Sequence, residues 1–126
     1  MAEPTIERRL ERRFILVTSD PVFEQEVCAL IPEGWSVAVT VDLERVGDWN
    51  DILMHRFLVL DADDSSVDGV AMVEQIRTEF MLQIAIFCFG GEADLRDALR
   101  LARADRFYDR NRLATTLPDF FGQYAW

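Results

Sequence analysis

The chain has 126 residues, half of them apolar, and carries a formal net charge of −10. This length fits one domain around one hydrophobic core, so we treat residues 1–126 as a single domain with a charged N-terminal extension over 1–12. The acidic surface disfavours nucleic acid and anionic membranes as partners. Apolar runs stay well short of the ~20 residues that cross a bilayer, and no secretory-type apolar core follows the charged N-terminus, so we expect a cytoplasmic protein.

Two local features depart from this average composition. The segment ERRLERR, residues 7–13, has four arginines within seven positions, and we interpret it as a basic, protein-facing arm or first turn. The two cysteines, Cys28 and Cys88, lie in the apolar contexts CAL and FCF. These contexts predict two buried thiols rather than a disulfide.

Short apolar runs alternate with helical patterns along the chain. The first run, FILV at 14–17, is continuous rather than alternating, which is typical of a strand buried on both faces. We predict strands at 14–17, 36–41, 57–60, 84–89 and 106–108. Apolar residues at helical spacing, bounded by capping or turn residues, predict the intervening helices. These are expected at 21–31, 42–53, 69–80 and 92–102, with a last helix that begins near Pro118.

The alternation of strands and helices predicts the fold class. Five strands separated by helices favour an α/β protein with a parallel sheet covered on both faces. Right-handed crossovers then favour a flavodoxin-like, doubly wound sheet with strand order 2-1-3-4-5. In such sheets the ligands and the chemistry lie at the carboxyl ends of the strands. Those ends carry Thr18 and Ser19, Asp61, Cys88, and Asp109 with Arg110.

Three sequence features lie on these predicted strands and helices. The stretch FLVLDADDSSVDG, residues 57–69, runs from an apolar strand into Asp61 and ends on Asp68-Gly69. The interval from Cys88 to Arg110 and the segment IRTEF at 76–80 complete the set. Together they resemble the receiver domains of bacterial two-component response regulators, from about Arg13 to the C-terminus. The resemblance implies a signal-transduction domain whose phospho-acceptor position is Asp61.

The family's other site positions fall on altered residues. The resemblance places an Mg²⁺-binding acid pair on Thr18 and Ser19, which are neutral, and a phosphoryl-binding hydroxyl on Cys88, a poor donor. It places the family's lysine on Arg110, which keeps the charge but not the compact ammonium. Phosphoryl transfer depends on positioning and charge stabilisation, so the loss of both acids indicates a degenerate site. We expect Asp61 to pair with Arg110 instead.

We therefore interpret the chain as a pseudo-receiver, a non-enzymatic protein–protein interaction module that works without phosphorylation and needs no cofactor. The alternative is a working phospho-acceptor at Asp61 with unusual Mg²⁺ ligation, for which the ligand candidates are Asp20, Asp61 and Asp63, with Asp64 nearby. A flavin-binding protein is a third reading. The loop TSDPVF after the first strand lacks the glycine and the hydroxyl run that cradle a phosphate.

The remaining expectations concern switching and partners. Phe107 resembles in position the aromatic that changes rotamer in active receivers. An aromatic-rich C-terminus predicts an exposed apolar patch, used to bind a protein partner or a second copy of the chain. The residues expected there are Tyr108, Phe120, Phe121, Tyr124 and Trp126. His55, placed in a loop before the third strand, is expected to be solvated.

Overall fold

The computed structural model describes residues 10–126. The predicted extension 1–12 and most of the basic arm therefore lie outside the described residues, and Arg12 already opens the first strand. The elements in chain order are β1 (Arg12–Val17), α1 (Pro21–Cys28), β2 (Trp35–Thr40), α2 (Trp49–Leu53), β3 (Phe57–Asp61), α3 (Gly69–Glu74), β4 (Ala85–Phe89), α4 (Ala93–Leu101), β5 (Arg106–Tyr108) and α5 (Leu113–Gln123). Short 3₁₀ turns at Leu43–Arg45 and Arg110–Arg112 and a π-helical turn at Gln75–Glu79 complete them.

The five strands form one parallel sheet in the order β2-β1-β3-β4-β5. This confirms the predicted doubly wound topology. The central strand β3, FLVLD, is buried along its whole length, as expected for a strand covered on both faces. No helix in the described part of the chain has the length and apolar character needed to cross a membrane.

Helices cover the two faces of the sheet with different side chains. Aliphatic residues dominate the face under α2, α3 and α4, where Ile52, Val73 and Leu99 are almost fully buried. Aromatic residues dominate the face under α1 and α5, where Phe57 and Phe87 pack beneath the last helix. Alternation along each strand separates these two sets. The burial of both sets explains why β3 and β4 are apolar along almost their whole length.

The aromatic C-terminus is mostly core, which corrects the predicted surface patch. Phe120 is stacked on Phe87 with ring centroids 3.9 Å apart, and the exposed fractions of Phe120 and Phe121 are 5% and 4%. Tyr108 and Tyr124 are half-buried, and Trp126 is exposed. Helix α5 lies over an aromatic sheet face, so its ring-bearing stripe is used for packing inside the domain.

Several helix boundaries differ from the prediction: α1 ends at Cys28 instead of residue 31, and α3 ends at Glu74 and continues as the π-helical turn. The helix expected over 42–53 is a 3₁₀ turn followed by the short α2, because Gly47 has a left-handed φ of 138° and Asp48 starts α2 through a capping box with Asp51. The last helix begins at Leu113 and contains Pro118 within it. The buried Leu113 and Leu117 anchor the turn before the proline, so tertiary packing overrides the local signal.

Two side chains lie in environments opposite to the predicted ones. His55 is buried, and its Nδ1 lies 2.8 Å from the main-chain oxygen of Asp51, four residues earlier in α2. Cys28 is exposed at the end of α1, since the buried stripe of that helix is formed by Phe23 and Val27. The prediction of a solvated histidine and that of two buried thiols were wrong on these points.

Candidate functional site

Asp61 ends β3 at the carboxyl edge of the sheet and is only 1% exposed. Its carboxylate has three partners within the described residues. The hydroxyl of Thr18 donates to Oδ2 at 2.7 Å, the main-chain N–H of Asp63 donates to Oδ1 at 3.2 Å, and Arg110 donates from Nη1 to Oδ1 at 3.4 Å. The acceptor position is therefore a buried carboxylate whose two oxygens are both in use.

Arg110 opens the 3₁₀ turn after β5 and reaches back across the strand ends. Its Nη2 donates to Asp20 at 2.7 Å, and its Nη1 lies 3.7 Å from the carboxylate of Asp63. Its guanidinium carbon lies 4.5 Å from the centre of the Phe23 ring, a distance typical of cation–π contact. Together with the Asp61 contact, this places one guanidinium against three carboxylates and one aromatic face.

Asp20 has two functions in this arrangement. Its Oδ1 accepts from the N–H of Val22 and caps α1, with Pro21 at the first helical position. Its other oxygen accepts from Arg110. The hydrogen bond with Arg110 is the main reason why the pKa of Asp20 is lowered below its ordinary value.

Burial acts in the opposite direction at Asp61. Loss of solvent raises the pKa of its carboxyl group, although the Thr18 hydrogen bond and the charge of Arg110 both favour the ionised form. Desolvation also acts against the charge of Arg110. The hydrogen bond with Asp20 and the charge of Asp61 outweigh it, and the pKa of Arg110 is raised.

The β3–α3 loop supplies two further acids. Asp63 accepts from the N–H of Gly91 at 2.8 Å, and Asp64 accepts from both the N–H and the hydroxyl of Ser19 at 2.6 Å each. These bonds to Ser19 help to lower the pKa of Asp64 despite its partial desolvation. The two loops after β1 and β3 are thus tied by neutral donors, and Thr18 and Ser19 are donors at the positions where the sequence resemblance would place acids.

Cys88 and Phe107, the two other positions that the sequence resemblance marks, lie away from this cluster. Cys88 is in register with Leu60, one position before Asp61, and lies in the aliphatic core. Burial raises the pKa of its thiol to about 12, so it is neutral at physiological pH. Phe107 is partly buried against the same core, with the guanidinium of Arg100 4.8 Å from its ring centre. Phe89, level with Asp61, packs against Tyr108 instead of filling the site.

The carboxylates do not assemble into a metal-binding set. Asp20, Asp61 and Asp63 converge on the Arg110 guanidinium, and residues 10–126 contain no group of three or more acidic, histidine or cysteine side chains arranged to hold an ion. Mg²⁺ requires oxygen ligands in near-octahedral geometry. The arrangement of the described donors suits a guanidinium and does not fit that ion.

Sequence reasoning identified Asp61 and Arg110 but missed how Thr18 and Ser19 are used. The parallel pairing of β1 with β3 brings Thr18 beside Asp61 and Ser19 beside Asp64. The predicted strand order already made β1 and β3 neighbours, so it implied that the residues after them lie close together. Reading the two strand ends together, rather than position by position against a family pattern, would have found these hydrogen bonds.

Comparison with solved structures shows which fold this is. A receiver domain of the TMAO respiratory response regulator TorR superposes with a TM-score of 0.68 at 16% identity, covering 90% of this chain and 98% of that one. The receiver domain of the sensor histidine kinase PA1611 from Pseudomonas aeruginosa, solved with a magnesium ion in its active-site cleft, gives 0.67 at 16% identity, covering 90% and 97%. The chain has the receiver fold.

A further receiver-fold neighbour is a putative response regulator from Chloroflexus aurantiacus. It superposes with a TM-score of 0.67 at 13% identity over 88% of this chain and 98% of the other. No model of a protein family and no curated protein matches the sequence. The shared property is therefore the backbone architecture, and the chemistry of the strand ends has to be argued from this chain's own side chains.

Proposed function

We propose that the chain is a pseudo-receiver, a signal-transduction module that acts by protein–protein contact and is not phosphorylated at Asp61. One observation carries this proposal: the Arg110 guanidinium contacts Asp61, Asp20 and Asp63 together. One cation that belongs to the chain offsets part of the negative charge of three carboxylates, at the place where a receiver needs a divalent ion. The protein is then not an enzyme and needs no cofactor.

Burial of Asp61 supports the same conclusion. A carboxylate that attacks a phosphorus atom needs an approach path, whereas Asp61 is 1% exposed, with Thr18 donating to Oδ2 and both the Asp63 N–H and Arg110 donating to Oδ1. Phosphoryl transfer also requires charge stabilisation on the transferred oxygens. Thr18 and Ser19 provide hydroxyls in place of the metal-holding acids, so that stabilisation is missing.

A working phospho-acceptor remains the second candidate, and one feature favours it. Asp20, Asp61 and Asp63 already approach a common centre, now taken by Arg110. If Arg110 moved aside, three carboxylates would face one another without a counter-charge. A divalent cation bound between them would relieve their mutual repulsion. In this reading Arg110 acts as a gate for the ion.

Intact-mass measurement separates the two candidates. The wild-type protein is incubated with Mg²⁺ and acetyl phosphate, then compared with D61N treated identically. We expect the two masses to be unchanged, because Asp61 is buried and Arg110 contacts the carboxylates that would have to bind Mg²⁺. A phosphoryl adduct that forms on the wild type and not on D61N would establish the phospho-acceptor and end the pseudo-receiver proposal.

A further inference from the structure

A cavity of about 290 Å³ lies beside Asp61, between the β3–α3 loop and the first turns of α4. Its floor is aliphatic: Leu60 and Leu99 are buried there, and Val67 and Leu95 are half-buried. The Arg110 network does not use this floor. The cavity volume is close to the lower end of the range found for small-molecule sites.

The mouth of the cavity is acidic. Asp63, Asp64 and Glu92 line it, and only Asp63 lies near a guanidinium, that of Arg110. Asp64 is hydrogen-bonded by neutral donors, and Glu92 makes no ion pair within residues 10–126. Neither Asp64 nor Glu92 has a cationic partner among residues 10–126, and their negative charge favours a cationic group entering from solvent.

We propose that this cavity binds a small aliphatic cation, a primary amine or a guanidine. The alkyl chain contacts the floor formed by Leu60, Val67, Leu95 and Leu99, and the charged head meets the acids of the mouth. Binding is non-covalent. The proposal goes beyond phosphorylation-independent partner binding, because it gives the domain a chemical input.

The surroundings of the cavity favour a small ligand over a protein segment. The centre of a protein interface is formed by exposed apolar and aromatic side chains. Among the described residues, no large apolar side chain on the exposed surface lines this cavity. The apolar area is confined to the inside, where a narrow aliphatic chain can reach it.

The test uses named probes on the full chain. Hexylammonium is titrated into ¹⁵N-labelled protein, with hexanoate, hexanol and methylammonium as controls for charge and chain. We expect hexylammonium to shift the amides of Ala62, Val67, Leu95 and Leu99 saturably. Hexanoate is expected to leave them unchanged, and hexanol and methylammonium to bind more weakly, because each lacks one of the two recognised features.

Two pairs of variants locate the site. V67W fills the cavity and abolishes the shifts, whereas V39W adds the same bulk on the edge strand β2 and preserves them. E92Q weakens hexylammonium binding about three- to fivefold, the effect of one partly screened charge contact. E26Q removes the same charge from α1 and leaves the affinity unchanged, which excludes an effect of net charge. E92Q changes an exposed side chain, so the test survives if V67W fails to fold.

Three results would overturn the proposal: no saturable shift with hexylammonium, equal binding of hexanoate, or undiminished binding by V67W. A lysine-rich peptide that shifts these amides when hexylammonium does not would assign the cavity to a protein partner and also overturn it. The outcome is independent of the phosphorylation test, since an amine-binding protein can be phosphorylated or not. Failure of one proposal is therefore distinguishable from failure of the other.

Discussion

Arg110 and Asp61 form the contact on which the site depends. Asp61 is buried, and its Oδ1 lies 3.4 Å from the guanidinium. Burying a carboxylate without a counter-charge costs free energy. In a buried ion pair, the attraction between the two charges offsets much of the cost of removing them from water. We therefore ascribe to Arg110 a compensating function: its positive charge offsets the free-energy cost of burying the Asp61 carboxylate in the folded state.

Replacement of Arg110 by methionine tests this function. We expect R110M to lower the free energy of unfolding at neutral pH by about 1–3 kcal/mol, because Asp61 then stays buried without its cation. Urea denaturation measures the loss. R112M, an exposed arginine two residues further on, is the matched control and is expected to change stability by less than about 0.5 kcal/mol.

Protonation provides a second readout for the same variant. Without Arg110 the pKa of Asp61 rises further, so the folded state binds a proton more readily than the unfolded state as the pH falls. The stability gap between R110M and the wild type should therefore narrow in acid, and D61N should restore R110M. An R110M protein as stable as R112M at neutral pH would refute the compensating function.

His55 predicts a pH dependence in a different range. Burial lowers its pKa below the ordinary value near 6.5. The unfolded chain therefore takes up the proton first, and stability is expected to decrease as the pH falls below about 6.5, with a limiting slope of about 1.4 kcal/mol per pH unit. The decrease should end below the folded-state pKa.

The variant H55N isolates this dependence. An asparagine amide can replace the Nδ1 contact with the oxygen of Asp51 and does not titrate. Denaturation between pH 7.5 and 5.5 should show a smaller loss of stability for H55N than for the wild type, while the carboxylates contribute equally to both. Identical pH profiles would show that His55 is accessible to solvent and titrates normally.

At the scale of whole elements, the turn after β4 shapes the edge of the site. Gly90 has a left-handed φ of 82°, and a Cβ added there would lie 2.1 Å from Oδ2 of Asp63. Glycine is required by both backbone conformation and space. This turn also presents the N–H of Gly91 to Asp63, so it positions one of the acids at the cavity mouth.

Two glycine-to-alanine variants test this requirement. G90A should lose about 1–3 kcal/mol of stability, from left-handed strain and from displacement of Asp63. G122A lies in the last turn of α5, where the added methyl meets nothing within 4 Å, and it should gain up to about 1 kcal/mol. Thermal denaturation of both proteins gives the comparison. A neutral G90A would mean that the turn adapts and does not hold Asp63.

The elements also show what the sequence could predict. All five strands were predicted from short apolar runs, which are a local pattern, and their order from the handedness of the crossovers. The break at Gly47 and the start of α5 at Leu113 did not, because both depend on what the segment packs against. The same limit applies to Phe120 and Phe121: their apolar character was evident, but only the aromatic sheet face beneath α5 decides that they are buried.

The site was predictable in part for a related reason. Asp61 and Arg110 follow strand ends that the topology brings together, so their pairing could be expected. The Thr18–Asp61 and Ser19–Asp64 hydrogen bonds depend on side-chain reach across neighbouring strands. The placement of Cys88 in the aliphatic core depends on a register offset of one residue relative to Asp61. A one-residue offset reverses the face of a strand residue, and spacing along the sequence does not fix it.

Considered as a whole molecule, the chain keeps the receiver fold while an arginine holds the acids at its strand ends. The receiver fold is therefore compatible with strand ends at which an arginine contacts the acids. Helices α1 and α5 are joined to the sheet by a large aromatic cluster, and the site loops are tied to one another by side-chain hydrogen bonds.

Amide chemical shifts during a titration with Mg²⁺, followed by beryllofluoride, test the central claim most directly. The account predicts no saturable shift at the amides of Ser19, Asp61 and Asp63 at millimolar metal, and no beryllofluoride complex at Asp61, because Arg110 already occupies the carboxylates. Saturable shifts at these three amides, with a beryllofluoride adduct on Asp61, would contradict it.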